Sequence, residues 1–256
     1  MLDLSVVIIT LDAERVIGRT LESVGFAREI VVVDSGSRDR TVEVCERFGA
    51  RVIRRDWKGY GVQKNFAVEQ AGSAWVLCLD ADEVVSPELA AEIAALDEAA
   101  AWAGYRIPRL NHYFGRALHH GGQYPDLQLR LFRKGRGRFN LRPVHEAVEL
   151  DGPAGRLKGE LLHFSYATVD QYLEKFLRYT ELEAQRLLES GEKPSAGRLI
   201  SQLAVAPFAK FVRRYLFKLG FLDGLPGFLA AVFTSFTMIV GYARFWDKYR
   251  SRAAGA

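Results

Sequence analysis

Residues 75–85 read WVLCLDADEVV, an apolar run of strand length that breaks abruptly into three carboxylates, Asp80, Asp82 and Glu83. Trp75, Val76, Leu77, Cys78 and Leu79 are continuous rather than alternating, the pattern of a strand covered on both faces of an α/β sheet. Ligands bind such sheets at the carboxyl ends of the strands, which is where these acids fall. Asp80 and Asp82 stand two apart, so in an extended segment both leave one face and can share a hard cation, Mg²⁺ or Mn²⁺, through oxygen ligands. The competing reading is a solvated acidic turn ahead of a helix that starts near Ser86-Pro87, with Glu88 at its positive end.

Outward from that stretch, the amino-terminal half repeats one unit. Residues 4–10 (LSVVIIT) read as a first buried strand, followed by a helix with Val16, Ile17, Thr20, Leu21 and Val24 on one face and Asp12 as its N-cap. Residues 29–34 (EIVVVD) form a second strand ending in Asp34, and Ser35-Gly36-Ser37 turns the chain into a helix over 41–48, with Ser37 and Asp39 as capping residues. A short third strand over 51–54, a helix over 62–71 and a fourth strand over 74–79 complete the series. Repeated β-α units imply a parallel sheet with right-handed crossovers.

These residues resemble the inverting family 2 glycosyltransferases of the GT-A fold. The resemblance rests on SVVIIT (5–10), VVVDSGSRDRT (31–41), QKNFA (63–67) and LDADE (79–83), in that order, over roughly residues 1–100. YPDLQLRLFRKGRGRF (124–139) and VHEAV (144–148) look like the lipopolysaccharide inner-core β-1,4-glucosyltransferase subgroup, which extends the likeness to about Tyr179. The resemblance implies an α/β GT-A domain, a mixed and mainly parallel sheet with flanking helices, and the sequence beyond it is expected to form a helical, membrane-associating carboxyl-terminal extension. The expected division is 1–166 as the catalytic domain, with 1–100 its nucleotide-sugar half and 101–166 its acceptor half, and 167–256 as the helical region.

Site residues carry across one at a time. The resemblance places Asp34 on the uracil ring of a UDP-sugar, Thr10 and Leu11 along the nucleoside pocket, Lys64 opposite the nucleotide, and Asp80 and Asp82 on the metal that bridges the diphosphate. Ala13 stands where the family often has a Glu, with Glu14 one register away. Departure of a nucleoside diphosphate gathers negative charge, so a divalent cation there acts as a Lewis acid. Inversion also needs one general base for the acceptor hydroxyl. Asp126, in a version of the family's acidic motif with Gln128 replacing a second acid, and Glu146, beside His145, are both candidates. Either acid is equally able to pair with the local arginines Arg130, Arg133, Arg136, Arg138 and Arg142. Some GT-A enzymes add a later histidine to the metal, which brings in His145 or His163. His119 and His120 sit in a Gly-rich loop.

Composition limits the alternatives. A chain of 256 residues, 49% hydrophobic, can bury one large core. A net charge of +4 without a recognition motif does not indicate nucleic acid. Two cysteines, Cys45 and Cys78, on a helix and a buried strand fit a reduced cytoplasmic chain. Residues 207–219 (PFAKFVRRYLFKL) read as a basic amphipathic helix, with Phe208, Phe211, Val212, Tyr215, Leu216 and Leu219 apolar and Lys210, Arg213, Arg214 and Lys218 opposite, suited to an anionic membrane surface. Residues 225–243 carry no charge but include Pro, Gly, Ser and Thr, which favours an interfacial dip over a span. Thr168 to Leu188 reads as a long helix with Tyr172, Phe176, Tyr179 and Leu182 on one face. The expectation is a peripheral enzyme on the cytoplasmic face of a bacterial inner membrane, moving glucose from UDP-glucose to a heptose of a lipid-linked oligosaccharide. Transfer to a polyprenyl phosphate and a non-catalytic nucleotide-sugar scaffold are the alternatives. A sugar-nucleotidyl transferase lacks support, since no Gly-rich phosphate loop follows the first strand.

Overall fold

The computed structural model describes residues 2–99, 101–141 and 146–254. Its amino-terminal portion alternates as β1 (Leu4–Thr10), α1 (Ile17–Glu22), β2 (Glu29–Asp34), α2 (Thr41–Arg47), β3 (Arg51–Arg54), α3 (Tyr60–Gln70) and β4 (Trp75–Asp80). β1 lies between β2 and β4 and pairs with both in parallel, with Thr10 opposite Asp34 and Ile9 opposite Asp80. The register therefore brings the carboxyl ends of three strands to one line. β1 is buried along its whole length because its two faces enter two separate cores. Leu4, Val6 and Ile8 join Ile17, Leu21, Leu89 and Ile93 on one side. Val7 and Ile9 join Ala67, Val68, Phe132 and Phe139 on the other. The same split divides β4, with Trp75, Leu77 and Leu79 on one face and Val76 and Cys78 on the other. This two-sided burial is the cause of the unbroken apolar runs.

Beyond β4 come β5 (Glu83–Val85), α4 (Pro87–Ala94), β6 (Gly104–Tyr113), β7 (Arg116–Ala117), β8 (Asp126–Arg133), β9 (Gly137–Phe139), β10 (Val148–Leu150), β11 (Ala154–Arg156) and β12 (Leu161–Tyr166). The main sheet runs β3-β2-β1-β4-β8-β6-β12-β5. β8 enters antiparallel to β4 and β6 antiparallel to β8. The sheet is thus parallel over its first four strands and largely antiparallel after them, a mixed α/β sheet in which the parallel order is confined to the amino-terminal part. Ser86 caps α4 by accepting from Leu89 N–H, with Pro87 in the first turn and Glu88 beside it, as the sequence indicates.

The chain divides into two compact units, one of residues 1–110 and 125–164, the other of 111–124 and 165–256. In the second, α5 (Val169–Glu189), capped by Thr168, buries Tyr172, Phe176, Thr180, Ala184 and Leu187. The buried stripe thus drifts away from Tyr179, which is exposed. α6 (Ala196–Ile200), a π-turn (Ser201–Val205), α7 (Ala206–Val212) and a second π-turn (Arg213–Phe217) follow one another without a break. Pro207 supplies no N–H and its ring crowds the preceding turn, which accounts for the first π-turn. A short 3₁₀ turn (Gly220–Asp223) leads into α8 (Gly224–Ala254). α8 stacks its rings on α5, Phe233 on Tyr172 with centroids 4.7 Å apart and Phe236 on Phe176 at 5.6 Å.

Two capping expectations need correction. Asp12 does not cap the first helix, which begins five residues later at Ile17. It adopts φ +49° and its Oδ1 accepts from Arg38 N–H at 2.7 Å, joining the loop after β1 to the loop after β2. Ser37 also serves this junction, its hydroxyl accepting from Asp12 N–H at 2.9 Å, whereas Asp39 accepts from Thr41 N–H at the start of α2.

Candidate active site

All groups of the site belong to the first unit. Asp34 ends β2, buried, and its carboxylate accepts from the N–H groups of Gly36 and Ser37 at 3.0 Å and from the Ser37 hydroxyl. Its position is fixed by its own turn, an Asx arrangement that favours Asp here whatever binds beyond it. Around it lie several buried polar atoms that have no hydrogen-bond partner among the described residues: Thr10 Oγ1, Gln63 Oε1 and Arg55 Nη1. Gln63 Nε2 donates to Arg55 O at 3.0 Å and to Ser35 Oγ at 3.2 Å, which places Gln63 beside the turn after β2. Thr10 ends β1 opposite Asp34, and the Arg55 guanidinium lies over the Phe66 ring, 3.9 Å from its centroid. Leu11 is exposed beside them. Buried polar atoms left unpaired cost free energy, so a cluster of them is a place for a polar ligand.

α3 positions the next group. Gly61 makes the approach possible, since a Cβ there would lie 2.1 Å from Asn140 O. Asn65 then closes a reciprocal pair with Phe139, donating to its carbonyl and accepting from its N–H, both at 2.8 Å. Between them, Lys64 is fully buried and bridges two acids, Asp80 Oδ1 and Glu146 Oε1, each 2.7 Å from Nζ. Lys64 therefore does not stand as a free cation toward a nucleotide in this state.

Asp80 is held from both sides. Arg130 Nη2 donates to Asp80 Oδ2 at 2.7 Å and to Glu83 Oε1 at 2.8 Å. Arg109 continues the chain, Nη1 to Glu83 Oε1 at 3.1 Å and Nε and Nη2 to Asp126 Oδ2 at 2.9 and 2.6 Å. Gln128 Nε2 ends it on Asp126 Oδ1 at 2.6 Å. Acids and bases thus alternate from Glu146 through Lys64, Asp80, Arg130, Glu83 and Arg109 to Asp126. Burial pushes the Asp80 carboxyl up, but Lys64 and Arg130 outweigh it and hold the group well below its ordinary range. Glu83 behaves likewise, burial opposed and overcome chiefly by Arg130. Burial pulls the Arg130 guanidinium down, but Glu83 and Asp80 raise it well above its ordinary value, and in Lys64 burial is likewise overcome, chiefly by Asp80.

Asp80 and Asp82 do not share a face. β4 ends at Asp80, the chain turns at Ala81-Asp82, and β5 starts at Glu83. Asp80 meets Lys64 and Arg130, whereas Asp82 Oδ1 lies 3.6 Å from His163 Nε2 on β12. The expectation of one extended segment fails because the backbone leaves the strand between the two acids. Burial lowers the His163 imidazole below its ordinary value, opposed by Asp82, which favours the neutral ring that can ligate a metal. Among the described residues no three His, Cys, Asp or Glu side chains form a ready metal cluster. Asp82 and His163 would offer a divalent cation one oxygen and one nitrogen, a donor set that fits Mn²⁺ better than Mg²⁺. His145 lies outside the described residues.

Of the two candidate bases, Asp126 is the more open, its side chain 32% exposed against 14% for Glu146. Arg109 is the group that orients Asp126, and the sequence gives no sign of it, since a lone arginine in a strand carries no local signal. His119 and His120 belong to the second unit, where their N–H groups and the His120 ring meet Asp223. Cys45 and Cys78 are buried free thiols, and burial pushes the Cys78 thiol up to about 12.

The family model for glycosyl transferase family 2 matches residues 5–148. Over 98% of its length the chain is 33% identical to the lipopolysaccharide core biosynthesis glycosyltransferase LpsC of Rhizobium meliloti, covering 95% of that protein. It is 31% identical to a glycosyltransferase of Rickettsia typhi over 95% of the chain and 87% of the relative. Among solved structures, a mannosyltransferase from Pyrobaculum calidifontis in complex with GDP-mannose and Mn²⁺ superposes with TM-score 0.55, at 14% identity, over 96% of this chain and 88% of that one. TarS from S. aureus in complex with UDP gives 0.51 at 15% identity, over 98% and 92%. At these identities the structural likenesses establish the fold.

Proposed function

The chain belongs to glycosyl transferase family 2, and from that premise we propose that it is a metal-dependent, inverting glycosyltransferase of lipopolysaccharide core assembly, using a UDP-sugar, glucose by the subgroup resemblance. The acceptor is a heptose of the lipid-linked inner-core oligosaccharide, and the enzyme works at the cytoplasmic face of the inner membrane. Likeness to LpsC over nearly the full length of both chains supports the core-oligosaccharide acceptor. The observation that carries the donor reading is the pair of unpaired buried atoms Thr10 Oγ1, at the end of β1 opposite Asp34, and Gln63 Oε1, beside the turn that follows Asp34. A uracil and its ribose present the N–H, carbonyl and hydroxyl groups that these unpaired atoms lack.

The family resemblance and the geometry together support the following roles. Asp34, stiffened by its own turn, accepts from the uracil N–H. Asp82 and His163 would hold Mn²⁺, or Mg²⁺ in its place, with Asp80 fixed alongside by Lys64 and Arg130. A divalent cation held by these residues would supply Lewis-acid stabilisation of the charge on the departing diphosphate. Asp126 is the general base: Arg109 and Gln128 fix both its oxygens in orientation, and its exposure leaves it accessible to an acceptor hydroxyl. The hydroxyl oxygen attacks the anomeric carbon from the face opposite the diphosphate, its proton passes to Asp126, and the bond from the anomeric carbon to the diphosphate oxygen breaks with inversion. Glu146, held by Lys64, keeps the floor of the donor pocket in place. The test is UDP release by the purified protein with Mn²⁺ and a panel of UDP-sugars, with and without a heptose-containing core acceptor. Acceptor-stimulated release with one donor is expected, and release of neither UDP nor a glycosylated product with any pairing would exclude the reading.

A further inference from the structure

The carboxyl-terminal unit gathers its most exposed large apolar side chains in one region. The helical stretch 201–217 and α8 are joined by an elbow at residues 218–223, where Leu219 takes φ +57° and the 3₁₀ turn reverses the chain. Leu216, Phe217, Leu219, Phe221, Leu222 and Leu225 crowd this elbow and all are exposed, Phe217 to 79% and Leu225 to 67%. Val205 and Phe208, about two to three turns earlier and at helical spacing from Leu216, continue the exposed face, Phe208 to 70%. Water is a poor solvent for so large a contiguous apolar surface.

The side chains facing inward differ from those the amphipathic pattern suggests. Phe211 and Tyr215 turn in toward Phe228, at 6.0 and 5.4 Å between centroids. Lys210 and Arg214 lean inward with them, and burial lowers both below their ordinary values. The cations left exposed are Arg213 and Lys218, both adjoining the apolar elbow. From Pro194 to Trp246 the sequence holds a single carboxylate, Asp223. That carboxylate is buried at the elbow, accepting from His119 and His120 N–H at 3.2 and 2.8 Å. The outer surface of the elbow is therefore apolar and cationic without a compensating acid.

We propose that this elbow, residues 216–225 with Phe208 beside it, is a monotopic anchor that dips into the interfacial layer of an anionic phospholipid bilayer. Its rings and leucines enter the boundary between headgroups and acyl chains, a depth of about 5–10 Å, and Arg213 and Lys218 meet the phosphates. Gly220–Arg252 is long and apolar enough to cross a membrane by length and composition. Its neighbour argues against a span: Gly241 packs against the Glu183 side chain, and Arg244 and Lys248 pair with Glu181 of α5. A spanning α8 would carry that charged helix into hydrocarbon. The proposal deepens the reading of a lipid-linked acceptor and rests on it only for its purpose, so its test omits donor and acceptor.

Flotation of the full chain on vesicles of phosphatidylethanolamine with phosphatidylglycerol, compared with phosphatidylcholine alone, tests the anchor. The parent should float with the anionic vesicles, Arg213→Glu/Lys218→Glu should bind on the order of tenfold less, and Phe217→Asp/Leu222→Asp should remain in the load. Phe217→Cys carrying an environment-sensitive dye reads insertion directly, because Cys45 and Cys78 are buried. A blue shift on anionic vesicles supports the anchor. No flotation of the parent, or an unshifted dye, overturns it. So does a parent dimer that the Phe217→Asp/Leu222→Asp variant splits without any lipid binding, which would assign the face to a second copy of the chain.

Discussion

Replacing Lys64 by methionine keeps most of the side-chain volume and removes one charge from between two acids. Nζ lies 2.7 Å from Asp80 Oδ1 and from Glu146 Oε1. At an effective dielectric near 20, each contact is worth about 6 kcal/mol before desolvation. Desolvating the ammonium returns several kcal/mol of that, so the pair gains much less than the sum. Loss of one partner of a buried pair costs about 3–5 kcal/mol because the other charge is stranded. Asp80 retains Arg130, and both acids keep some access to water, which lowers the expected loss to about 3 kcal/mol. Urea denaturation followed by the fluorescence of Trp75, buried in the core of the first unit, reads this directly. Adding Glu146→Gln to the variant should recover part of the loss, since it removes a stranded charge. A Lys64→Met protein within about 0.5 kcal/mol of the parent would show that the bridge does not hold the site together.

Four further outcomes follow from the same geometry. Asp126→Asn should lower kcat by about a hundred- to ten-thousandfold with donor binding intact, whereas Glu146→Gln should mainly weaken donor binding; steady-state kinetics separates the two. His163→Ala should raise the Mn²⁺ concentration needed for half-maximal rate by at least about tenfold, the loss that even an outer-shell partner causes, and a metal titration at saturating donor checks this. Asp80 and Glu83 have folded values below their ordinary 3.8 and 4.5, so their contribution to stability is complete above about pH 4.5 and drains away as pH falls below it. Urea midpoints across that range should fall for the parent and flatten for Arg130→Met. Gly227→Ala brings a Cβ to 2.1 Å from Gly220 O and should destabilise the second unit by about 1–3 kcal/mol in thermal unfolding.

How far the sequence reveals the molecule depends on what each residue touches. β1, β2 and β4 are legible because each is buried on both faces, and an unbroken apolar run of strand length is the direct imprint of that environment. The cap at Ser86 is legible because capping is local. Asp80 and Asp82 are visible as acids but not as to direction, since a turn between them sends one to Lys64 and the other to His163. The partners Arg109 and Arg130 reach Glu83 and Asp80 across more than twenty positions of sequence, and no periodicity encodes an ion pair of that kind. In residues 205–217 the apolar residues lie nearly all round the helix, and each π-turn rotates the side chains after it. Phe211 and Tyr215 therefore face in while Phe208 and Leu216, which regular spacing puts on the same face, are exposed. Asp12 illustrates the same limit: its role is a bond to the next loop, which only the fold brings near.

The claim at the centre is that the strand ends form a metal-assisted site for a nucleoside diphosphate. Calorimetric titration of UDP into the full chain, with Mn²⁺ and with chelator, addresses it most directly. The account predicts saturable binding with Mn²⁺ that chelator, Asp82→Ala and Asp34→Ala each weaken by at least about tenfold, or 1.4 kcal/mol. UDP binding of equal strength in chelator and in both variants would contradict it.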